Sequence, residues 1–332
     1  MLSSQFNFSF QKFLNLVSLL LVVALSIVSG WRDVGIDRLG YVEMYNGIVS
    51  NDDIAVKFFF AKDVLFLLIA TASNYFNDEA KWTFLTICFI SLITKYLAIR
   101  QIAIEYALGY ILLYAIFLSP GLEFAAIRGA MSIGFIMLAI AYYGNPLQFS
   151  ILSTLGIAAH ITALPVILLA MRKFRYILHK HKLSYVLLAL VTFLSTDLLL
   201  NLFPRGADYN NNRGTIYAYS EPIATWGIAL LVLFRLNQVS RLKSVDPALQ
   251  YLLILRPIIY ALIAIAFGIS SMLVTGATRF LEISWCLILF AAIVLFRKTY
   301  VNLLGGILLL VFLSYVNIRR LTWVALFNPS LG

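Results

Sequence analysis

The sequence Gly30-Trp31-Arg32-Asp33-Val34-Gly35-Ile36-Asp37-Arg38-Leu39-Gly40-Tyr41 follows directly after the first long apolar run of the chain, residues 13–30. A membrane-spanning helix needs about 17–25 largely apolar residues, so the run predicts an uncleaved first span. Charged side chains beside a bilayer cost free energy, and this short stretch holds two arginines and two aspartates. The cluster favours a polar site at the end of the span, although charges that merely end the helix at Gly30 would give the same pattern.

The composition limits the chain to one broad class. Of its 332 residues, 62% are hydrophobic and 12% are charged, whereas soluble domains carry about 25% charged residues. The apolar runs are long and unbroken, unlike the short alternating segments of membrane β-barrels. Helices must therefore satisfy the backbone polar groups in lipid. We predict an all-α polytopic integral membrane protein with about 11 transmembrane helices, in a range of about 10–12.

Short polar stretches separate the predicted spans, and no repeat, linker or soluble appendage is visible. We therefore expect a single polytopic membrane domain over residues 1–332. Segment 54–76 is the weakest span because Lys57, Lys62 and Asp63 interrupt it, and segment 106–118 is short for a full crossing. The predicted spans are residues 13–30, 54–76, 82–99, 106–118, 124–143, 147–171, 184–203, 222–236, 251–275, 280–296 and 301–316.

Positive charges predict which loops face the cytoplasm. The chain has 25 Lys and Arg residues against 15 Asp and Glu, and we interpret this surplus as orienting loops and not as a nucleic-acid surface. The basic loops contain Arg172 to Lys182, Arg235 to Lys243, and Arg297 with Lys298. If these are cytoplasmic, alternation places the loops 30–53 and 204–221 and the turn 276–279 outside.

The cysteines and histidines predict no metal site. Cys88 and Cys286 both lie within apolar runs, where cysteine behaves as a small core hydrophobe. The chain has three histidines, and none has a partner at the spacing of a metal motif. We expect no metal and no cofactor.

Two arginines lie where lipid is expected. Arg128 opens the apolar segment 124–143 and Arg279 opens segment 280–296, and an intramembrane arginine indicates a functional site by default. A guanidinium stays charged and binds phosphate through two parallel hydrogen bonds. Snorkelling or structural pairing with Glu123 is the alternative for Arg128.

Other polar side chains could bind or activate a ligand. Asp37 and Tyr41 are four residues apart, so a helical turn would place them on one face. His160 lies within an apolar run and is either a core residue, a base or an orienting hydrogen-bond donor. In the loop 204–221, Arg205 and Arg213 flank asparagines and tyrosines that suit phosphate and sugar groups, although an ordinary polar loop has the same composition.

These residues resemble the EpsG/Wzy-type family of bacterial polysaccharide polymerases. Three groups of matching residues occur in the family's order. Gly129 stands where the family usually has glutamine, and Thr162 replaces a serine. The matching residues are Arg32, Gly35, Asp37 and Tyr41 after the first span, then Ile127-Arg128-Gly129 and His160-Ile161-Thr162-Ala163-Leu164, and finally Thr278-Arg279-Phe280.

The resemblance implies a GT-C-like fold in the bacterial inner membrane. It implies a metal-independent glycosyltransferase that moves a glycan from undecaprenyl diphosphate onto a lipid-linked repeat unit at the outer face. Expected partners are this lipid-linked oligosaccharide, the bilayer and a chain-length regulator, and nucleic acid is not expected. The implied catalytic residues are Asp37, His160 and Arg32, and the implied substrate-binding residues are Arg128, Arg279, Tyr41, Arg205 and Arg213.

Simple alternation of the spans places Arg128 at the cytoplasmic end of its helix, whereas the resemblance implies an outward site for all the arginines. Two other functions stay open at this point. A flippase or transporter of lipid-linked sugars would show inverted repeats with broken helices in both halves. A membrane acyltransferase is the other alternative, and we would expect it to have a histidine near its first span, whereas the first histidine of this chain is His160.

Overall fold

The structure is a computed structural model that describes residues 2–32, 37–202, 219–234, 247–270 and 274–296. Every regular element within these ranges is helical. The chain divides into two compact units, one containing Met1–Leu164 and the other containing Pro165–Phe312. The prediction of a single membrane domain is not tested by this division and stays a prediction.

The first unit begins with a long apolar helix, which is followed by three shorter helices, a second long helix and three further shorter helices. Its helices are α1 (Leu2–Gly30), α2 (Arg38–Val49), α3 (Ile54–Ala61), α4 (Val64–Phe76), α5 (Ala80–Ala103), α6 (Ala107–Phe117), α7 (Ile127–Ala141) and α8 (Pro146–Ala159). A short 3₁₀ turn, Ile104–Tyr106, joins α5 to α6 without a non-helical residue. The helix α9 (Ala163–Ala170) crosses from the first unit into the second.

The second unit is built from longer apolar helices that follow one short basic helix. They are α10 (Arg172–Lys180), α11 (Leu183–Leu202), α12 (Ser220–Phe234), α13 (Pro247–Ile269) and α14 (Val274–Phe296). The helix α13 packs against α10, α11, α12 and α14. Trp285 of α14 donates a hydrogen bond from its indole nitrogen to the hydroxyl of Thr225 at 3.0 Å, which ties α14 to α12.

The membrane class is confirmed, whereas the number of spans is not. Among the described residues, four segments are long and apolar enough to cross a bilayer: Gln11–Gly30, Ala80–Phe117, Tyr251–Ile269 and Gly276–Leu295. A fifth is added if Arg172–Lys180 and Leu183–Thr196, which meet at a bend of 115°, form one broken span. Several other predicted spans correspond to apolar helices of 10–17 residues, so the predicted count of about 11 is not established.

Three predictions about individual segments are wrong. Segment 54–76 is not one helix, since it breaks between Ala61 and Val64. Segment 147–171 breaks at His160, which ends α8. The segment 276–279 is not a turn, because it lies inside the first part of α14. The last predicted span, residues 301–316, lies outside the described residues.

Close helix packing in the first unit depends on glycines that face a neighbouring backbone. A β-carbon on Gly30 would overlap the backbone of Leu85, where α1 crosses α5. A β-carbon on Gly134 would overlap the hydroxyl of Thr94 and lie 2.8 Å from the carbonyl oxygen of Ser91, where α7 crosses α5. Small residues at such crossings let membrane helices approach closely and gain van der Waals contact.

The first testable consequence concerns Gly134. Replacing Gly134 with alanine should lower the melting temperature of the purified protein in detergent, because the new methyl group meets the α5 backbone. Gly109 in α6 has no heavy atom within 4 Å of such a methyl group, so Gly109→Ala is the matched control. The control should raise stability by up to about 1 kcal/mol, the gain in helix propensity. Equal effects of the two substitutions would show that the α5–α7 crossing tolerates expansion.

Candidate polar site in the first unit

Arg128 lies in the first turn of α7 and is anchored by two groups from the break between α3 and α4. Its Nη1 forms an ion pair with the carboxylate of Asp63 and donates a second hydrogen bond to the carbonyl oxygen of Ala61 at 3.2 Å. The Nε of Arg128 is buried and has no hydrogen-bond partner among the described residues. One side of the guanidinium is therefore fixed, and none of the described residues supplies an acceptor for its Nε–H.

Two aromatic rings lie against the Arg128 guanidinium. Its Cζ lies 5.6 Å from the ring centre of Tyr41 and 5.9 Å from that of Phe66. Tyr41 is only 7% exposed and packs its ring 6.1 Å from Phe66 and 6.2 Å from Phe84. Cation–π contacts of this kind stabilise a desolvated guanidinium. The structure thus brings Tyr41 and Arg128 together, with Tyr41 acting as a buried support for the arginine.

The backbone conformation of Lys62 positions Asp63 for this contact. Lys62 ends α3 in the left-handed region, with φ 61° and ψ −23°, and its N–H donates to the carbonyl of Phe58 at 2.9 Å. It is the described non-glycine residue with positive φ. Asp63 follows in an extended conformation, with φ −133° and ψ 138°. The sharp turn between α3 and α4 directs the carboxylate toward α7.

The strain at Lys62 gives a second prediction. Lys62→Gly should raise stability by about 1 kcal/mol, because the left-handed conformation costs a residue with a β-carbon about that much. Lys62 is exposed, so no side-chain packing is lost. Lys57→Gly, inside α3, is the matched control and should instead lose about 1 kcal/mol. Both values can be measured by thermal unfolding in detergent, and destabilisation by Lys62→Gly would contradict the argument.

Arg32 is the second anchored guanidinium. Its Nη1 donates to the carbonyl oxygen of Glu123 at 2.8 Å, and its Cζ lies 5.0 Å from the ring centre of Phe124. Its Nε is also buried without a partner among the described residues. Burial, together with the nearby charge of Arg38, lowers the pKa of Arg32 to about 10, although Cys88, Tyr41 and Glu123 act in the opposite direction. Arg32 therefore stays cationic at neutral pH.

A fully buried ion pair fixes the segment before α7 that contacts Arg32. Lys95 in α5 and Glu123 are each 0% exposed and lie 3.0 Å apart between Nζ and Oε1. The same Oε1 accepts hydrogen bonds from Ser91 and Tyr114, each at 2.8 Å. Nζ of Lys95 also donates to the carbonyl oxygen of Ala130 at 2.7 Å. The network joins α5 and α6 to the start of α7, between the contacts of Arg32 and Arg128.

Asp37 stands at the start of α2, one turn before Tyr41. The N–H of Tyr41 donates to the carbonyl of Asp37 at 3.1 Å, which confirms the predicted helical turn. The Asp37 side chain makes no capping hydrogen bond to the α2 backbone and is half-buried. The residues that precede Asp37, 33–36, lie outside the described residues. The structure therefore does not test whether Asp33 and Gly35 belong to the site.

His160 ends α8 beside α7. Its carbonyl oxygen lies 3.5 Å from the hydroxyl of Ser132, and Ser132 lies one helical turn beyond Arg128. The N–H of Thr162 donates to Nδ1 of His160 at 3.2 Å, and the Thr162 hydroxyl lies 3.0 Å from the same nitrogen. With Nδ1 accepting, a neutral ring carries its proton on Nε2. This arrangement suits a hydrogen-bond donor to a substrate oxygen better than a general base.

The remaining predicted residues lie elsewhere. Arg279 belongs to the second unit, where its Nη1 pairs with Glu282 at 2.9 Å. The guanidinium is 30% exposed and the carboxylate 3%. Arg205 and Arg213 lie outside the described residues. The first unit therefore collects Arg32, Asp37, Tyr41, Arg128 and His160.

Two partners were not foreseen from the sequence. The carboxylate partner of Arg128 is Asp63, which lies 65 residues away in the chain. The alternative of an Arg128–Glu123 pair is wrong, because Glu123 pairs with Lys95. A signal for Asp63 existed, since a carboxylate within a predicted span favours a buried partner.

The chain matches a known family over nearly its whole length. A family model described as the EpsG family matches residues 15–327, nearly the whole chain. The chain belongs to the EpsG family. Neither a curated protein nor a solved structure matches it. EpsG is a Wzy-like polymerase family, so the site in the first unit of this EpsG-family chain belongs to a membrane protein of the polysaccharide-polymerase type.

Proposed function

We propose that this protein is a polysaccharide polymerase that makes an O-antigen, capsule or exopolysaccharide. It transfers a growing glycan from undecaprenyl diphosphate onto a lipid-linked repeat unit at the outer face of the bacterial inner membrane. The observation that carries the proposal is the pair of anchored arginines, Arg32 and Arg128, each with a fixed Nη1 and a buried Nε that has no partner among the described residues.

Each arginine has a role in the transfer of the glycan. A diphosphate leaving group accepts charge-assisted hydrogen bonds, and preorganised guanidinium groups stabilise the charge that develops on it. Because the arginines are already held by Asp63 and by the Glu123 carbonyl, little reorganisation accompanies the reaction. No nucleotide is needed, because the lipid diphosphate is itself the leaving group.

The acceptor side of the reaction is assigned to Asp37 and His160. Asp37 takes the proton of the acceptor hydroxyl as that oxygen attacks the anomeric carbon. The bond from the anomeric carbon to the diphosphate oxygen breaks, and the diphosphate leaves with the electron pair. His160 orients a sugar oxygen through its Nε2–H, in keeping with the contacts at Nδ1. Tyr41 supports Arg128 from within the core.

The finer features of the proposal follow from the sequence. We propose about 11 spans in a GT-C-like arrangement, multi-pass in the inner membrane and acting without a metal or cofactor. Arg279, Arg205 and Arg213 contribute to binding the lipid-linked oligosaccharide, and a chain-length regulator is the expected protein partner. The arginines of the proposed site face the outer side, which Arg128 reaches if segment 54–76, broken between Ala61 and Val64, does not make a full crossing. The cytoplasmic placement of the Arg172–Lys182 loop then requires that segment 147–171, which is broken at His160, does not make a full crossing either.

The proposal is tested in a strain that lacks the gene. Surface glycan separated on a gel should change from long chains to single repeats, and lipid-linked single repeats should accumulate in the membrane. Normal long chains in the deletion strain would refute the polymerase assignment. Accumulation of repeats on the cytoplasmic side alone would instead point to a flippase.

The role of Asp37 gives a third prediction in the complemented strain. Asp37→Asn should abolish polymer without changing the amount of inserted protein, because the amide cannot accept the acceptor proton. Asp52→Asn, an exposed aspartate between α2 and α3, is the matched control and should leave chain length unchanged. Polymer of normal length and amount from the Asp37→Asn strain would reduce Asp37 to the residue that starts α2.

A further inference from the structure

A cavity of about 590 Å³ lies within the second unit, between α10, α11, α12 and α13. Basic side chains line one part of it: His179 of α10, Lys182 before α11, and Arg256 of α13. Elsewhere its lining is apolar and aromatic, and includes Trp226 of α12 and Phe267 of α13. The cavity thus combines positive charge with a long apolar wall.

Arg256 is the unusual member of this lining. It is the single charged residue of α13, Pro247–Ile269, and it lies within the candidate span Tyr251–Ile269. The side chain is half-buried. An arginine within a span is costly and marks a ligand site or a charge path. The rings of Tyr185 and Tyr260, whose centres are 6.0 Å apart, also line the cavity.

The basic part of the cavity lies at the level expected for lipid headgroups. The helix α10 is short and strongly basic, with Arg172, Lys173, Arg175 and Lys180 in its sequence. It meets α11 at 115°, the geometry of a helix lying along the membrane surface before a helix that enters it. Clustered lysines and arginines at that level attract anionic headgroups. His179 and Lys182 stand at this junction.

The apolar part has the length of one leaflet. From Arg256 to Phe267, α13 rises about 16 Å, and the hydrocarbon depth of one leaflet is about 15 Å. Along this length the wall includes Trp226, which is 51% exposed, and Phe267, which is 43% exposed. A hydrocarbon chain lying in the cavity would cover these side chains while its headgroup met the cations.

We propose that this cavity binds a membrane lipid with an anionic phosphate headgroup, the phosphate at Arg256, Lys182 and His179 and one hydrocarbon chain against Trp226 and Phe267. The chemistry fits two sources, an anionic glycerophospholipid of the bilayer and a polyprenyl phosphate. The binding site lies entirely within the second unit. Its assignment does not depend on the proposed polymerase activity, because binding can be measured without glycan transfer.

The test uses the purified full-length protein in detergent. Phosphatidylglycerol, undecaprenyl phosphate and phosphatidylcholine are each added, and retained lipid is counted by native mass spectrometry. The wild-type protein should retain one of the anionic lipids, or both, in preference to zwitterionic phosphatidylcholine. Retention of phosphatidylglycerol alone would identify a bilayer lipid, retention of undecaprenyl phosphate alone a polyprenyl lipid, and retention of both the shared phosphate chemistry.

Single substitutions test the headgroup contacts and the apolar part of the cavity separately. Arg256→Gln should lower retention about tenfold, the effect of losing a charge-assisted hydrogen bond. Lys182→Gln, at an exposed residue, serves the same purpose with less risk to folding. Ala264→Trp should block the cavity, which Ala264 lines. Leu253→Trp on the same helix is the matched control, because Leu253 is 39% exposed and is not part of the lining.

Three results would overturn the proposal. The first is equal retention of phosphatidylcholine and the anionic lipids by the wild-type protein, which would show that the site does not recognise the headgroup charge. The second is unchanged retention in both Lys182→Gln and Ala264→Trp, which would place any bound lipid outside this cavity. Loss of lipid from Leu253→Trp to the same degree as from Ala264→Trp would likewise exclude the cavity as the site.

Discussion

Arg128→Lys is expected to lose polymer formation almost as completely as Arg128→Ala, by about a hundredfold or more. Lysine keeps the positive charge and can still pair with Asp63. It lacks the planar fork that lets one guanidinium hold Asp63 and the Ala61 carbonyl through Nη1 while offering other N–H groups to a phosphate. The measurement is polymer formation from purified lipid-linked repeats in liposomes.

The matched control for this prediction is Arg100→Lys. Arg100 is an exposed arginine in the last turn of α5, so its exchange for lysine should leave the rate unchanged. Arg279→Lys should also lose activity if Arg279 binds the diphosphate as proposed, although its Nη1 already contacts Glu282. Near-normal rates from Arg128→Lys would mean that positive charge alone suffices there, and the diphosphate-binding role of Arg128 would have to be dropped.

The class of fold could be predicted because it rests on composition and on the length of apolar runs. The predicted spans 13–30 and 82–99 lie within the helices Leu2–Gly30 and Ala80–Ala103. The breaks at Lys62 and His160 could not be predicted with the same method, since hydropathy sums over a window and is insensitive to one residue. A left-handed Lys62 depends on what the following Asp63 contacts, and that contact is a tertiary one.

The candidate site could be predicted in part. Arg32, Asp37, Tyr41, Arg128 and His160 were selected from local sequence, and the structure places all of them in the first unit. Their supports were missed because each comes from another helix. Asp63 reaches Arg128 across 65 residues of chain, and the Glu123 carbonyl reaches Arg32 across 91. Spacing arguments consider neighbours three or four residues apart, so they cannot find such partners.

The buried ion pair Lys95–Glu123 positions the candidate site through backbone carbonyl groups. Glu123 uses its carboxylate for Lys95, Ser91 and Tyr114, and its backbone carbonyl holds Arg32. Lys95 in turn reaches the carbonyl of Ala130 in α7, two residues beyond Arg128. The position of both anchored arginines therefore depends on an ion pair that is 0% exposed.

Removing one member of this pair should be severely destabilising. Lys95→Met leaves the Glu123 carboxylate buried, with hydrogen bonds from Ser91 and Tyr114 but no compensating charge. Breaking a buried ion pair in this way typically costs about 3–5 kcal/mol. We therefore expect a large fall in the melting temperature in detergent and in the amount of folded protein in the membrane. Arg100→Met, which removes an exposed cation from the same helix, should change stability by less than about 0.5 kcal/mol.

The double variant Lys95→Met with Glu123→Gln decides whether charge is the cause. A glutamine at 123 keeps an oxygen for the Ser91 and Tyr114 hydroxyls and removes the buried charge, so the double variant should be more stable than Lys95→Met alone. The backbone carbonyl at 123 is retained, so Arg32 keeps its acceptor and polymer formation should return in proportion to the folded protein. If the two substitutions are simply additive, other contacts of Lys95 hold the segment, such as the cation–π contact of its Nζ, 5.0 Å from the ring centre of Tyr114. The ion pair with Glu123 then contributes little of its own.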